Sequence, residues 1–312
     1  MTVVSASLRA RSGVFAISGG AILWGTTGVV AHAVHARTGL SAVSIAFYRT
    51  FTAALVLAVV RGPAIARLIR TARRGRLGVL VLAGASLGVS QALYFVAAAD
   101  AGVSLATLIC IGVAPIAVTS ASALARRRRP TVGALATLGC ALVGLVLITT
   151  STSSATGPHP LAGVLAALGS GLAYVASTVL SGRLAGTADA LTLTGATSIV
   201  GSLTLAPAAL VSGVGFPVDD VSVAALFYLG VVTTVLAYGL FFGGLRTTSA
   251  EVAAVLTLLE PLGATVLAVV LLGETLTPLG LLGAVLLLAA VAALLARRPE
   301  TPVESGAPLA PY

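Results

Sequence analysis

The chain has 312 residues, 58% of them hydrophobic and only 9% charged, with a net charge of +9 and a mean hydropathy of +1.09. A soluble globular domain carries about a quarter charged residues, so this composition lacks the polar surface needed to live in water. Every cationic side chain is Arg, and the arginines collect at the ends of apolar runs, which argues for a lipid bilayer as the partner and against nucleic acid.

A bilayer-spanning helix needs about 20 apolar residues. In chain order such runs read at 14–34, 41–60, 77–98, 104–125, 131–149, 161–182, 190–211, 221–244, 250–272 and 279–296. They are continuously apolar, without the alternation of barrel strands, so they are expected to be helices. The breaks between them carry turn chemistry at Arg61-Gly62-Pro63, Thr156-Gly157-Pro158, Gly215-Phe216-Pro217 and Thr277-Pro278. The first run follows Arg9 and Arg11 and ends near Ala31-His32-Ala33, in the manner of a signal peptide. A cleaved signal has a core of only about 7–15 apolar residues, so this longer run is expected to be retained. The expected fold is an all-α integral membrane protein of ten transmembrane helices. Cys110 and Cys140 lie inside apolar runs without CxxC spacing and read as small hydrophobes.

Orientation follows from the arginines. With the N-terminus inside, cytoplasmic segments hold Arg9, Arg11, Arg61, Arg67, Arg70, Arg73, Arg74, Arg76, Arg126–Arg129, Arg183, Arg246, Arg297 and Arg298, which is 16 of the 18. External loops carry Arg37 together with Asp100, Asp219, Asp220 and Glu274. Both termini are expected in the cytoplasm of a multi-pass cell-membrane protein.

The halves resemble each other at an offset of about 146 residues: Ser104–Ala125 carries Pro115 where Ala250–Leu271 carries Pro261. Five spans is an odd number, so the second copy must enter the membrane upside down. The break after the proline-bearing span reads Arg126-Arg127-Arg128-Arg129-Pro130 in one copy and Gly273-Glu274-Thr275 in the other, basic against acidic, as opposite membrane faces demand. The expected organisation is a first five-helix repeat at 1–149, an external linker at 150–160, an inverted second repeat at 161–296, and a disordered cytoplasmic tail at 297–312. Inverted repeats with interrupted spans at matching positions mark secondary transporters, with a binding site near the midplane.

Several residues then carry a resemblance: Trp24-Gly25 in the first span, Arg49 in the second, the mid-span prolines, and the segment Tyr238–Gly283 with Ser249-Ala250, Glu260-Pro261 and Leu272-Gly273-Glu274. Over about residues 14–296 the chain resembles the ten-span branch of the drug/metabolite transporter superfamily, built of two EamA-type units. The resemblance implies a membrane transporter, often an exporter of amino acids or other small metabolites, with a cavity between the halves. One departure is plain: the acidic residue the family carries after the fourth span is replaced by the arginine run, so no role for a glutamate there carries over.

The candidate substrate-binding residues are Trp24, Arg49, Gln91, Tyr94, Tyr174, Tyr238 and Glu260. Arg49 is a full charge within a span, costing at least about 2.5 kcal/mol on insertion; it reads either as a solute or gate ligand or as half of a structural pair. Glu260 is the acid set well inside a span, and reads as a proton-coupling group, a cation ligand or the partner of Arg49. Their depths differ by roughly 6 Å at about 1.5 Å per residue, within reach of an extended Arg. Trp24 and Tyr174 fall near mid-depth, where an aromatic lines a pocket rather than the interfacial belt; Tyr94 and Tyr238 lie nearer span ends, and Gln91 is a lone amide that suits either helix–helix bonding or solute contact. Pro115 and Pro261 are expected to kink their helices and free carbonyls at matching depths. His32, His35 and His159 lack further ligands for a metal, the chain has no Lys and hence no ATP-binding GxxxxGK[ST], and no paired acids or Ser–His arrangement lies within the spans. No cofactor, metal or enzymatic activity is expected. The expected function is a secondary transporter, an exporter of small metabolites such as amino acids, working by alternating access as a monomer or homodimer, with protons a candidate coupling ion. A lipid-linked carrier or flippase and a cationic-drug efflux protein are the alternatives.

Overall fold

A computed structural model describes residues 2–101, 103–126, 131–150, 158–184, 186–272 and 277–296. Among these the chain folds into helices α1 (Thr2–Thr38), α2 (Ala42–Thr71), α3 (Arg74–Ala101), α4 (Val103–Arg126), α5 (Val132–Thr150), α6 (Pro160–Leu184), α7 (Ala190–Ser212), α8 (Asp220–Gly230), α9 (Ala237–Gly244), α10 (Ala250–Leu256), α11 (Leu259–Leu272) and α12 (Pro278–Ala296). A π-helical segment, Val231–Leu236, joins α8 to α9 end to end. Six stretches are long and apolar enough to cross a bilayer: Ser12–Thr38, Ala42–Thr71, Arg74–Ala101, Pro160–Leu184, Ala190–Ser212 and Asp220–Gly244. Four shorter apolar helices accompany them, at Leu105–Ser120, Val132–Ile148, Val252–Ala264 and Pro278–Ala293. Leu161, Val211 and Val270 turn most of their side chains outward, as a surface facing lipid would. The molecule is an all-α, multi-pass membrane protein.

The helix starts follow local chemistry. Ser41, Asp189, Asp219 and Ser249 each accept a hydrogen bond from a backbone N–H in the first turn that follows, satisfying donors that have no partner inside the helix. Thr277 does the same for Gly280, and Pro278 opens α12 at the position where a missing N–H costs nothing. One expected break is absent. Arg61-Gly62-Pro63 does not end α2, which runs on to Thr71. Pro63 removes one hydrogen bond, but Leu57 and Ile65 on either side are buried and close on Gly195 of α7, so tertiary packing carries the helix through. The basic-against-acidic comparison rested on Arg127–Arg129 and Gly273-Glu274-Thr275, which lie outside the described residues, as do the tail 297–312 and most of the linker.

Packing of the helices is reciprocal. α3 packs on α6, and the α8–α9 rod packs on α1; α4 packs on α6, and α11 packs on α1. α2 pairs with α7, and α5 with α12. Both of these pairs run antiparallel. In the first, Ser44 and Tyr48 donate to the carbonyls of Gly213 and Val214 at one end, while Arg61 lies 3.5 Å from Asp189 at the other. In the second, Cys140 faces Leu286 and Gly144 and Gly283 meet backbone to backbone. A Cβ on Gly144 would sit 2.7 Å from the Gly283 carbonyl, and one on Gly283 would sit 2.7 Å from the Gly144 carbonyl. In a membrane, where lipid is as apolar as a side chain, such close backbone approach is a main source of helix association.

Two ion pairs within 4.0 Å occur among the described residues, each on the acidic cap of a helix: Arg61–Asp189 on α7 and Arg37–Asp219 on α8, the latter at 3.1 Å. At Asp219, hydrogen bonds from the Ser222 hydroxyl and N–H, joined by Arg37, hold the carboxyl down at about 2. At Asp189 burial raises the carboxyl, but bonds from Thr192 and the charge of Arg61 outweigh it and the net displacement is downward.

Two tests follow from this packing. Gly144→Ala places a methyl against backbone that has no room to give and should destabilise the protein by about 1–3 kcal/mol in thermal unfolding in detergent. Gly139→Ala on the same helix meets nothing within 4 Å and should be neutral or slightly stabilising. For Asp219, a folded carboxyl held at about 2 against an ordinary 3.8 stabilises the ionised state, so its contribution is complete above 3.8 and is lost as pH falls toward 2. Asp219→Asn should therefore flatten the acid limb of the stability profile in that window while leaving near-neutral pH dependence unchanged.

Candidate functional site

The interior between α1, α2, α9 and α11 gathers most of the residues singled out above. It begins with a broken helix. Pro261 has no N–H to offer, and the chain before it switches to three-residue spacing: Leu258 donates to Val255 and Glu260 to Thr257, the pattern of a 3-10 turn. The break separates α10 from α11 and leaves Glu260 in the first turn of α11, where the helix dipole favours a carboxylate. α1 lies directly against this turn. A Cβ on Gly25 would stand 2.7 Å from the Glu260 carbonyl and 2.8 Å from the Ala264 nitrogen, so the glycine after Trp24 is what allows the two helices to touch.

Trp24 is 5% exposed, and its ring centroid is 4.7 Å from that of Tyr238 and 5.3 Å from that of Phe241. Tyr238 follows the π-helical segment, in which Thr233 and Thr234 both donate to the Leu229 carbonyl. Such widened turns are rare and recur at functional sites. Tyr238 is buried and within electrostatic range of both Arg49 and Glu260. The sequence reading placed Tyr238 near a span end; the structure puts it in the core against Trp24.

Arg49 reaches this interior from α2. It is half-buried, its Nε is buried without a hydrogen-bond partner, and it feels the charge of Glu260. Yet it forms neither of the ion pairs found among the described residues. Tyr94, Cys110, Tyr174 and Tyr238 also lie within electrostatic range of Glu260. Tyr174 lines a cavity of about 10 Å³ with Val118, Thr178, Phe241 and Thr257, room for about one water.

Other expected residues make contacts of their own. The Tyr94 hydroxyl is 2.8 Å from that of Thr107, so part of its polarity is spent between α3 and α4. Gln91, one turn earlier on α3, is half-buried. Pro115 differs from its counterpart: α4 runs unbroken through it, so the two prolines do not interrupt their helices alike. A further polar cluster was not singled out from the sequence: the Ser170 hydroxyl donates to the Ser90 carbonyl and lies 3.2 Å from the Cys110 sulfur. Small polar residues in apolar helices carry no pattern that separates these from others that bond only to their own helix.

Comparison with known proteins sets this arrangement in context. The profile of the EamA-like transporter family matches residues 11–150 and again residues 161–296. The uncharacterized inner membrane transporter YicL of Salmonella typhimurium is 26% identical over 284 residues, covering 90% of this chain and 94% of that protein. The uncharacterized transporter YwfM of Bacillus subtilis is 29% identical over 279 residues, covering 86% and 88%. A protein crystal structure superposes with a TM-score of 0.74 at 21% identity, covering 96% of this chain and 99% of that one, a likeness of fold.

The exposed question is whether Arg49 supports the fold. An Arg without a close partner should not, so Arg49→Met is expected to leave thermal stability unchanged or raise it by about 1 kcal/mol. A loss of about 3–5 kcal/mol, the signature of a broken buried ion pair, would assign Arg49 to the structure instead.

Proposed function

The chain belongs to the EamA-like transporter family, and from that membership we propose that it is a secondary transporter, an exporter of small metabolites such as amino acids, working by alternating access. The repeats are the two matched segments, ten spans in all, with the second repeat inverted relative to the first and both termini cytoplasmic. The antiparallel pairing of α2 with α7 and of α5 with α12 supports the inversion: helices in equivalent positions of two repeats run in opposite directions when the relating axis lies in the membrane plane, and in the same direction when it lies along the normal.

The observation that carries the reading is the meeting of Arg49 and Glu260 in one interior without pairing. A membrane protein that needed these charges only for its fold would join them directly, because an uncompensated charge in a dry bundle costs several kcal/mol. Held apart, they suit a solute that brings charges of its own. Alternating access would rock one repeat against the other about this site. The driving force is the solute gradient, or protons taken up at Glu260.

Cationic-drug efflux is the second reading, favoured by the aromatic rings of Trp24, Tyr174 and Tyr238 around a single acid, a setting that attracts cations. Arg49 in the same interior weighs against it. Reconstitution in proteoliposomes with a panel of amino acids and cationic drugs, with and without a pH gradient, separates the two. Amino-acid exchange that falls about tenfold or more in both Arg49→Ala and Glu260→Gln is the expected result. Wild-type rates in both variants would remove these residues from the site, and drug transport that survives Arg49→Ala would favour the second reading.

A further inference from the structure

Away from that interior, a cavity of about 70 Å³ lies at the end of the bundle where two helical hairpins turn back. At roughly 10–15 Å³ for each water, it is several times the size needed for one. One hairpin is the turn from α2 into α3, the other the turn from α6 into α7. They come from the first and the second of the two segments that match the family profile. The lining is amphipathic. Thr71 ends α2, Arg76 stands in the first turn of α3, and Thr187 lies between α6 and α7, so the mouth is polar. Leu80, Leu184 and Leu193 also line the cavity and are buried. The apolar run of α3 begins at Leu77, directly after Arg76. That sets Arg76 at the level of the lipid headgroups and Leu80 about 6 Å deeper, at about 1.5 Å per residue.

The surroundings are strongly basic. Arg67, Arg70, Arg73, Arg74, Arg76 and Arg183 are exposed on these two hairpins. The one acid within residues 61–79 and 181–195 is Asp189, which stands 3.5 Å from Arg61. Arg76 takes part in neither ion pair found among the described residues. The two hydroxyls at the mouth do not share its capacity. Thr71 donates to the Arg67 carbonyl and Thr187 to the Leu184 carbonyl, both at 2.8 Å. With their protons spent on the backbone they offer only acceptors, and Arg76 is the lining side chain that can hold an anion.

An unpaired cation at headgroup level over an apolar floor matches one kind of ligand. An anionic phospholipid carries a phosphate at that level and hydrocarbon beneath it. In the orientation proposed above this end of the bundle is cytoplasmic, and the cytoplasmic leaflet is the one whose anionic lipids attract basic segments. A freely diffusing anion would gain from Arg76 but nothing from the leucines. We propose that this cavity binds the phosphate of an anionic phospholipid, held by the guanidinium of Arg76, so that one lipid bridges the α2–α3 and α6–α7 turns and ties the first matched segment to the second. The site does not depend on which solute the interior carries.

Native mass spectrometry of the full chain, with phosphatidylglycerol and phosphatidylcholine of the same acyl chains, tests the site directly. One phosphatidylglycerol should be retained in preference to phosphatidylcholine by about tenfold or more. Arg76→Gln should remove that preference. Arg246→Gln, which alters an exposed arginine on the turn after α9, should leave it intact. Thr187→Trp fills the mouth without changing any charge and should also release the lipid. Lipid retained in Thr187→Trp would mean adhesion to a basic surface and would overturn the proposal. So would equal binding of the two lipids, or a preference that survives Arg76→Gln. If Arg76→Gln does not fold, the Thr187→Trp result decides alone. Inorganic phosphate in excess at constant ionic strength should not displace the lipid; displacement would assign the site to a free anion and overturn the lipid as its occupant.

Discussion

A bilayer cannot solvate a charge or a bare backbone group, and this constraint organises the whole molecule. The backbone is satisfied inside helices, the apolar side chains face outward, and the few polar groups kept within the spans must be compensated inside the bundle. Most are: Thr50, Thr197, Thr233 and Thr257 return their hydroxyls to carbonyls of their own helices, and Ser170 bonds across to α3. Trp24 and Arg49 are among the exceptions. Trp24 stands beside Tyr238, next to a broken helix and a π-helical turn, while the hydroxyls of Ser181 and Thr248 are buried without a partner elsewhere.

The helices reach this arrangement through close backbone contact rather than large interdigitating side chains. Gly25 lets α1 touch the broken turn at Glu260, and Gly144 with Gly283 lets α5 and α12 touch each other. Each contact places a fixed element of one repeat against the other. The antiparallel run of α2 on α7 adds a long seam with polar ties at both ends: Ser44 and Tyr48 near one, Arg61–Asp189 near the other.

Much of this was legible in the sequence because hydrophobic length and arginine placement report on the membrane directly. The apolar runs appear as helices, and Trp24 is buried in the interior, as an aromatic residue near mid-depth should be. Where reading by residue type failed, tertiary packing had the deciding vote. Pro63 looked like a helix stop, but Leu57 and Ile65 against Gly195 hold α2 together. Pro115 and Pro261 looked equivalent, yet only the segment before Pro261 adopts 3-10 spacing. Tyr238 looked interfacial because depth was counted from the span ends, and the π-helical segment preceding it has no sequence signature. The polar trio of Ser90, Cys110 and Ser170 was invisible because each residue is ordinary alone.

The most direct test of the account is a structure of the full chain with a transported amino acid bound. The expected result is a solute lying in the interior beside Arg49 and Glu260, with these two side chains still apart. A direct Arg49–Glu260 ion pair, with the solute bound elsewhere, would contradict it.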